Sequence, residues 1–394
     1  MKVGHGVTPI PVPVGSEMGG YMDRPGRSTG IADVLEAHVV TVTSSERRFA
    51  LVVLDVVCVN VDLAAAVRSA LTALGIDDVW VCASHTHSGP ETGCLPRGTT
   101  TPLPWLDVCV TAARAAATSA VAGELTGTLS RATVDVSGVA SVRSVPDAAR
   151  SVPVDVVSFR TSGGHVAGLL VVLPVHPTVL PATSTVVSAD LTGAVRRALL
   201  GAGAASWVVV APGASGDLST RGVRQAADLA ECARLGQVVA GQVLAATPAP
   251  VADGPVLTAT AEVVVVPGQE PEFDRRAKAP TSRIEETLWQ AMRLRRYLGH
   301  SDQPMAATVH AARLGDLRLI GLPGEPFLGL RTRARATLED VVVLGYVGGY
   351  VGYLPTREAF AGESTYETLM SPVAAGEPER LVDIGTGLLL QLRH

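Results

Sequence analysis

Lysine is almost missing from this chain of 394 residues: it occurs only at Lys2 and Lys278, and arginine supplies the rest of the positive charge. With 32 Lys and Arg against 37 Asp and Glu, the formal charge is −5, and no basic run appears. Nucleic acid is therefore not an expected partner, because neutralising phosphates needs clustered cations. Aromatic residues make up only 4% of the chain, so the core has to be built from Val, Ala and Leu. The cysteines, Cys58, Cys82, Cys94, Cys109 and Cys232, are odd in number and scattered, without a Cys-x-x-Cys pair. Neither a disulfide framework nor a thiolate zinc site is expected, and a reducing compartment fits best. The longest uncharged stretch, residues 166–188, contains Pro174, His176, Pro177 and Pro181. It reads as a strand and a loop rather than a transmembrane helix, which needs about 20 mainly apolar residues. The first residues lack the apolar segment of a secretory signal and run directly into a strand pattern. The expectation is a cytoplasmic protein without stable membrane insertion.

What is present is a globular composition, 47% apolar and 18% charged. The length has room for two or three domains. No repeat or long linker divides it, and residues 247–254, with two prolines, are too short a boundary. One large domain over residues 1–394 is expected. β-Branched runs at 38–42, 49–57, 78–83, 166–173, 207–211, 317–322 and 341–344 read as strands. Ala-, Leu- and Arg-rich segments at 62–74, 106–121, 191–200, 222–245 and 283–298 alternate with them and read as helices. The last is marked by Ser282 and Glu285 as a capping box. Residues 126–136 with 154–159, and 256–266, read as antiparallel or edge strands. The fold class is α/β, with mixed β-sheets flanked by helices.

Five polar clusters each lie just beyond a strand, where open α/β sheets gather ligand-binding residues. In the first, Ser84-His85-Thr86-His87-Ser88-Gly89-Pro90, continued extension would point His85 and His87 to one face. One imidazole could then ligate a metal while the other relays a proton; a pair of hydrogen-bonded histidines is the alternative. The second holds His176 before Pro177 and Thr178, either a ligand or a structural hydrogen-bonder. The third, Ala211 to Thr220, is rich in small residues that admit a ligand, and Ser219 could be a nucleophile, a hydrogen-bond donor or a helix cap. It is neither a G-x-S-x-G elbow nor a P-loop. The fourth puts Glu325 at the end of an apolar strand, where a carboxylate needs a cation or several donors to stay ionised. The fifth, Tyr346 to Glu358 with Tyr366-Glu367, concentrates four of the six tyrosines of the chain.

In this order the clusters resemble the neutral/alkaline, non-lysosomal ceramidases, zinc-dependent amide hydrolases. The resemblance runs from Met18-Gly19-Gly20-Tyr21 to Glu367. Its most specific elements are His85-Thr86-His87-Ser88-Gly89-Pro90, His176-Pro177-Thr178, Gly216-Asp217-Leu218-Ser219, Pro323-Gly324-Glu325 and Tyr353 with Tyr366-Glu367. It implies a catalytic domain of that family with Zn2+ held by His85, His176, Glu325 and Tyr353. It implies catalytic roles for His87, Ser219, Tyr366 and Arg143, the last in Val142-Arg143-Ser144. Zinc would activate water for attack on an amide, with His87 moving the proton and Tyr366 and Arg143 steadying the oxyanion. The family's secretory signal and C-terminal immunoglobulin-like domain are not expected here. The expected substrate is therefore a soluble small-molecule amide or N-acyl metabolite. Acyl transfer, intramolecular amide or ester formation, true ceramide hydrolysis and a non-enzymatic zinc-binding protein are the alternatives.

Overall fold

The computed structural model describes residues 1–94, 100–145, 149–269, 283–298 and 303–392. Among them, two β-sheets lie face to face, and helices cover both outer surfaces. The larger sheet runs in the order Trp207–Pro212, Val166–Leu173, Ala149–Thr161, Leu125–Val142, Lys2–Ile10, Leu35–Ser44, Arg47–Leu54, Asp78–Ala83. Its neighbours are antiparallel except at its two ends, where Trp207–Pro212 runs parallel to Val166–Leu173 and Asp78–Ala83 parallel to Arg47–Leu54. The smaller sheet has the order Val256–Val265, Met305–Leu314, Leu317–Gly321, Val342–Leu344, and its last pair is parallel. Both sheets are thus mixed, as the alternating pattern implied.

Both faces of the larger sheet are buried along most of Arg47–Leu54, Asp78–Ala83, Val166–Leu173 and Trp207–Pro212, so these strands read as continuous apolar runs, whereas much of Leu125–Val142 is exposed. From Phe49 to Leu54 every side chain is inaccessible to water or nearly so. Val40, Leu51, Trp80 and Val172 face the other sheet, where they meet Leu314, Leu319 and Val342. The opposite face packs on the helices Val61–Thr72 and Trp105–Ala122 at one end, and on Asp190–Gly201 and Leu229–Leu244 at the other. The helices Leu328–Thr337 and Glu377–Gln391 cover the outside of the smaller sheet. Each fully buried Val or Leu contributes about 1.5–3 kcal/mol. This explains how a core with so few aromatics holds four layers together. A buried ion pair adds a specific tie: the Asp155 carboxylate of the larger sheet accepts from Arg331 at 2.7 Å and Arg335 at 2.8 Å, both on the helix Leu328–Thr337.

The strand ranges 78–83 and 166–173 coincide with those observed. The strand expected at 49–57 stops at Leu54, because Asp55 turns inward to accept from Glu36 N and Arg196. The helix expected at 222–245 is Leu229–Leu244, capped by the Asp228 side chain. Residues before it form a loop held by Arg224, which donates to the carbonyls of Thr178 and Val179. The helix Arg283–Leu298 is present, but Ser282 and the Glu285 side chain of the expected capping box lie outside the described residues. Residues 247–254 do not mark a boundary, since Ala249–Pro250 pairs with the long strand Leu125–Val142. No described helix is long and apolar enough to cross a membrane.

Candidate metal centre

The parallel pairs of both sheets end at one place, and their following loops carry the polar clusters. After Ala83 the chain does not stay extended: His85 has φ 64°, a left-handed conformation that costs a non-glycine residue roughly 1–3 kcal/mol. Its amide donates to Val56 O at 3.0 Å, and its Nδ1 donates to Val57 O at 2.6 Å. Extension therefore fails as the reason for a shared face of His85 and His87. Their rings nevertheless meet, with the Nε2 atoms 3.1 Å apart. His176 follows Val166–Leu173; its Nδ1 donates to Ser215 O at 2.7 Å. Since a carbonyl can only accept, both His85 and His176 present Nε2 lone pairs to the centre. Burial lowers the His85 pKa to about 4, so that ring is neutral at pH 7.

Glu325 faces them from the second sheet. Glu325–Pro326 pairs in parallel with Tyr353–Leu354, and Glu325 stands beside Tyr353 in the register. The backbone is packed tightly here: a Cβ on Gly324 would lie 2.5 Å from Gly352 O, and one on Gly216 would lie 2.4 Å from Glu325 O. Tyr346, also left-handed with φ 59°, begins the loop that joins the sheets, where Gly348 N donates to Val81 O. Glu325 Oε2 lies 2.8 Å from His176 Nε2 and 3.6 Å from His85 Nε2. Tyr346 donates to Oε2 at 3.3 Å and Tyr350 to Oε1 at 2.5 Å. Burial alone would raise the Glu325 pKa, but positive charge on His85 or His176 beside it and the Tyr350 hydroxyl outweigh it and hold the carboxyl below the usual range.

This donor set fits a divalent cation. The His176 Nε2 that faces the carboxylate also lies 3.0 Å from Arg143 Nη1, which can only donate, so in the neutral ring this nitrogen turns its lone pair to the centre. Its lone pair and the Glu325 oxygen then converge at 2.8 Å, a contact that repels unless positive charge lies between them. Two neutral imidazoles with a carboxylate are a usual catalytic zinc set. Nitrogen atoms of His85, His87 and His176 also lie within 4.8 Å of one another, so a three-histidine set is equally compatible with the spacing. A second acidic group, Glu36, His38 and Asp55, has Arg196 already donating to both carboxylates.

Arg143 extends from the end of the strand Leu125–Val142 and is fixed on several sides. Its Nη1 donates to Tyr353 OH at 3.0 Å, its Nε pairs with Glu367 at 2.9 Å, and its guanidinium lies beside the Tyr353 and Tyr366 rings. Burial pushes the Tyr366 phenol up, so it remains a hydrogen-bond donor at neutral pH. These groups border a cavity of about 710 Å³ lined by His85, His87, Arg143, Glu325, Tyr353 and Tyr366. Ser219 lies behind it, in a two-residue strand bridged to His176, and its Oγ accepts from Arg221 N at 3.3 Å. It is no helix cap; the next helix, Leu229–Leu244, is capped by Asp228.

Six of the eight residues singled out in the sequence thus line one cavity, with His176 in contact with Arg143 and Glu325 and Ser219 adjoining. Three further residues, Tyr346, Tyr350 and Glu367, touch them without having been assigned a role, although the tyrosine density around 346–366 was their signal. The Tyr350 hydroxyl is directional support for Glu325, and groups that hold metal ligands in place are typically worth about 10–100-fold in metal affinity. Tyr350→Phe is expected to weaken zinc binding by that amount, measured by competition with a chromogenic chelator, while the thermal transition of the metal-free protein changes little. An unaltered affinity would show that Tyr350 does not orient the carboxylate.

The fold is that of known neutral ceramidase structures. It superposes on the crystal structure of neutral ceramidase from Pseudomonas aeruginosa with a TM-score of 0.79 at 18% identity, covering 99% of this chain and 74% of that one. A structure of a ceramidase complexed with C2 gives a TM-score of 0.78 at 18% identity, covering 100% and 75%. In sequence, a stretch of 67 residues is 42% identical to the neutral ceramidase of Mycobacterium tuberculosis, but it spans only 15% of this chain and 10% of that protein. No family model matches the sequence.

Proposed function

We propose that the protein is a zinc-dependent hydrolase of an amide bond in a small N-acyl compound, with residues 1–394 acting as one catalytic unit. The observation that carries this reading is the convergence of His85, His176 and Glu325 lone pairs from two different sheets beside an open cavity. The ceramidase fold supports the amide as the scissile bond. His85, His176, Glu325 and Tyr353 would hold the ion. Zinc bound there would lower the pKa of water toward about 7 and polarise the amide carbonyl.

The remaining roles fall to side chains of the chain itself. His87 is half-buried, and desolvation together with the nearby His85 and His176 holds its pKa well below 6.5, so its ring is neutral and keeps a lone pair. Its Nδ1 is buried without a partner among the described residues, so proton transfer would fall to Nε2, which stands 3.1 Å from His85 Nε2 at the centre. Arg143 and Tyr366 supply hydrogen-bond donors for the oxygen that gains negative charge. Ser219, behind the cavity, supports the Arg221 backbone rather than attacking, since its hydroxyl accepts from Arg221 N. A cavity of about 710 Å³ is of the size that encloses a compact ligand. A two-chain lipid would leave its tails outside, which favours a small N-acyl metabolite over ceramide.

The test is turnover of a panel of fluorogenic N-acyl amides and a fluorescent long-chain ceramide before chelation, after chelation and after zinc is restored. Amide cleavage that disappears on chelation and returns with zinc is the expected result. Chelator-resistant cleavage would remove zinc from the chemistry, and much faster cleavage of the ceramide would reverse the choice of substrate.

A further inference from the structure

Among the described residues, Arg221 brings to the cavity a positive charge that no carboxylate pairs with. Arg221 lines the cavity, is exposed, and makes no side-chain hydrogen bond or ion pair among the described residues. Arg143 lines the same cavity, and two further arginines outside its lining are held by carbonyls. Arg24 donates to the carbonyls of Ser184 and His87, and Arg224 to those of Thr178 and Val179. Arg143 and Arg224 are close enough to repel Arg221. Of the acids nearby, Glu367 pairs with Arg143, the buried Asp190 accepts the amides of Val179, Leu180 and Leu191, and Glu91 accepts those of Gly93 and Cys94; Asp23 lines the same cavity without pairing with Arg221.

Carbonyl partners orient a guanidinium but leave its full charge, and a cavity wall of low dielectric focuses that field on whatever enters. A planar guanidinium at the mouth is also the group that best grips a carboxylate through two parallel hydrogen bonds. The backbone fixes where this one stands, because Arg221 N is held by Ser219 Oγ at 3.3 Å, next to His176. We propose that Arg221 forms a subsite for a substrate carboxylate, so that the preferred substrate is an N-acyl amino acid rather than a neutral amide. This rests on the amide-hydrolase reading above and narrows it to anionic substrates.

The experiment compares the zinc-loaded wild type with Arg221→Gln and Arg221→Lys. For each, kcat/KM is measured on N-acetyl-leucine and on the matched acetamide that lacks only the carboxylate. The wild type is expected to favour the carboxylate by about 10- to 100-fold, the worth of a charged hydrogen-bonded contact. That preference should vanish in Arg221→Gln, mainly through KM, and return in part in Arg221→Lys. An equal preference in wild type and Arg221→Gln, or a wild-type preference for the neutral amide, would overturn the proposal. Calorimetric binding of N-acetyl-leucine to the metal-free proteins separates it from the reading on which it rests. Binding that depends on Arg221 without turnover of any amide would refute the hydrolase and retain the subsite; turnover without Arg221-dependent binding would do the reverse.

Discussion

His176→Ala is expected to abolish stoichiometric metal binding, whereas His87→Ala retains the metal and loses turnover. Four-ligand structural zinc sites bind with about 10–16 kcal/mol. One ligand's share is then about 3 kcal/mol, or roughly 100-fold in affinity. His176 has no way to be spared. Its Nδ1 is fixed on Ser215 O, its Nε2 faces Glu325 at 2.8 Å, and its side chain is fully buried. His87 faces the same centre from the other side, 3.1 Å from His85 Nε2. If it moves a proton rather than binding the ion, its removal costs about 10²–10⁴ in rate. Elemental analysis of the purified variants decides between the two arrangements that the spacing permits. Loss of metal from both would establish the three-histidine set in place of the one that includes Glu325 and Tyr353.

Arg143→Ala is expected to lower kcat by about 10²–10³, the loss seen when one oxyanion donor is removed. It should also destabilise the fold. The Glu367 carboxylate, 4% exposed and paired at 2.9 Å, would be left buried without its partner. Breaking one side of such a pair costs about 3–5 kcal/mol. The two effects separate in the double variant Arg143→Ala with Glu367→Gln, because a neutral amide no longer needs a counter-charge. Chemical denaturation should show most of the stability restored, while turnover stays at the level of the single variant. Recovery of both together would mean that Arg143 acts only by keeping the pocket folded, and would remove it from the chemistry.

Much of the arrangement was legible in local signals. Strands such as Asp78–Ala83 and Val166–Leu173 were readable because both faces are buried, giving unbroken β-branched runs with polar residues immediately after. The order of those polar clusters sufficed for the ceramidase resemblance, and the overall fold bears it out. Boundaries were less legible where a side chain stops an element for tertiary reasons. Asp55 ends its strand by reaching Arg196, 141 residues away. Arg224 holds the loop before Leu229–Leu244 onto carbonyls of a distant segment. Neither partner can be read from the local pattern.

The sequence alone therefore determined the materials: an apolar, Val- and Ala-rich α/β chain with histidine, glutamate and tyrosine placed just after buried strands. Only the tertiary structure decided how they meet. His85 and His87 converge through a left-handed turn, not through strand alternation. Tyr350 donates to Glu325 because the two sheets are joined where Gly348 N meets Val81 O. Arg221 stands beside the cavity without a carboxylate partner for a reason equally invisible in one dimension. Periodicity fixes which residues follow a strand, but the relative orientation of lone pairs and charges depends on contacts between segments far apart in the chain.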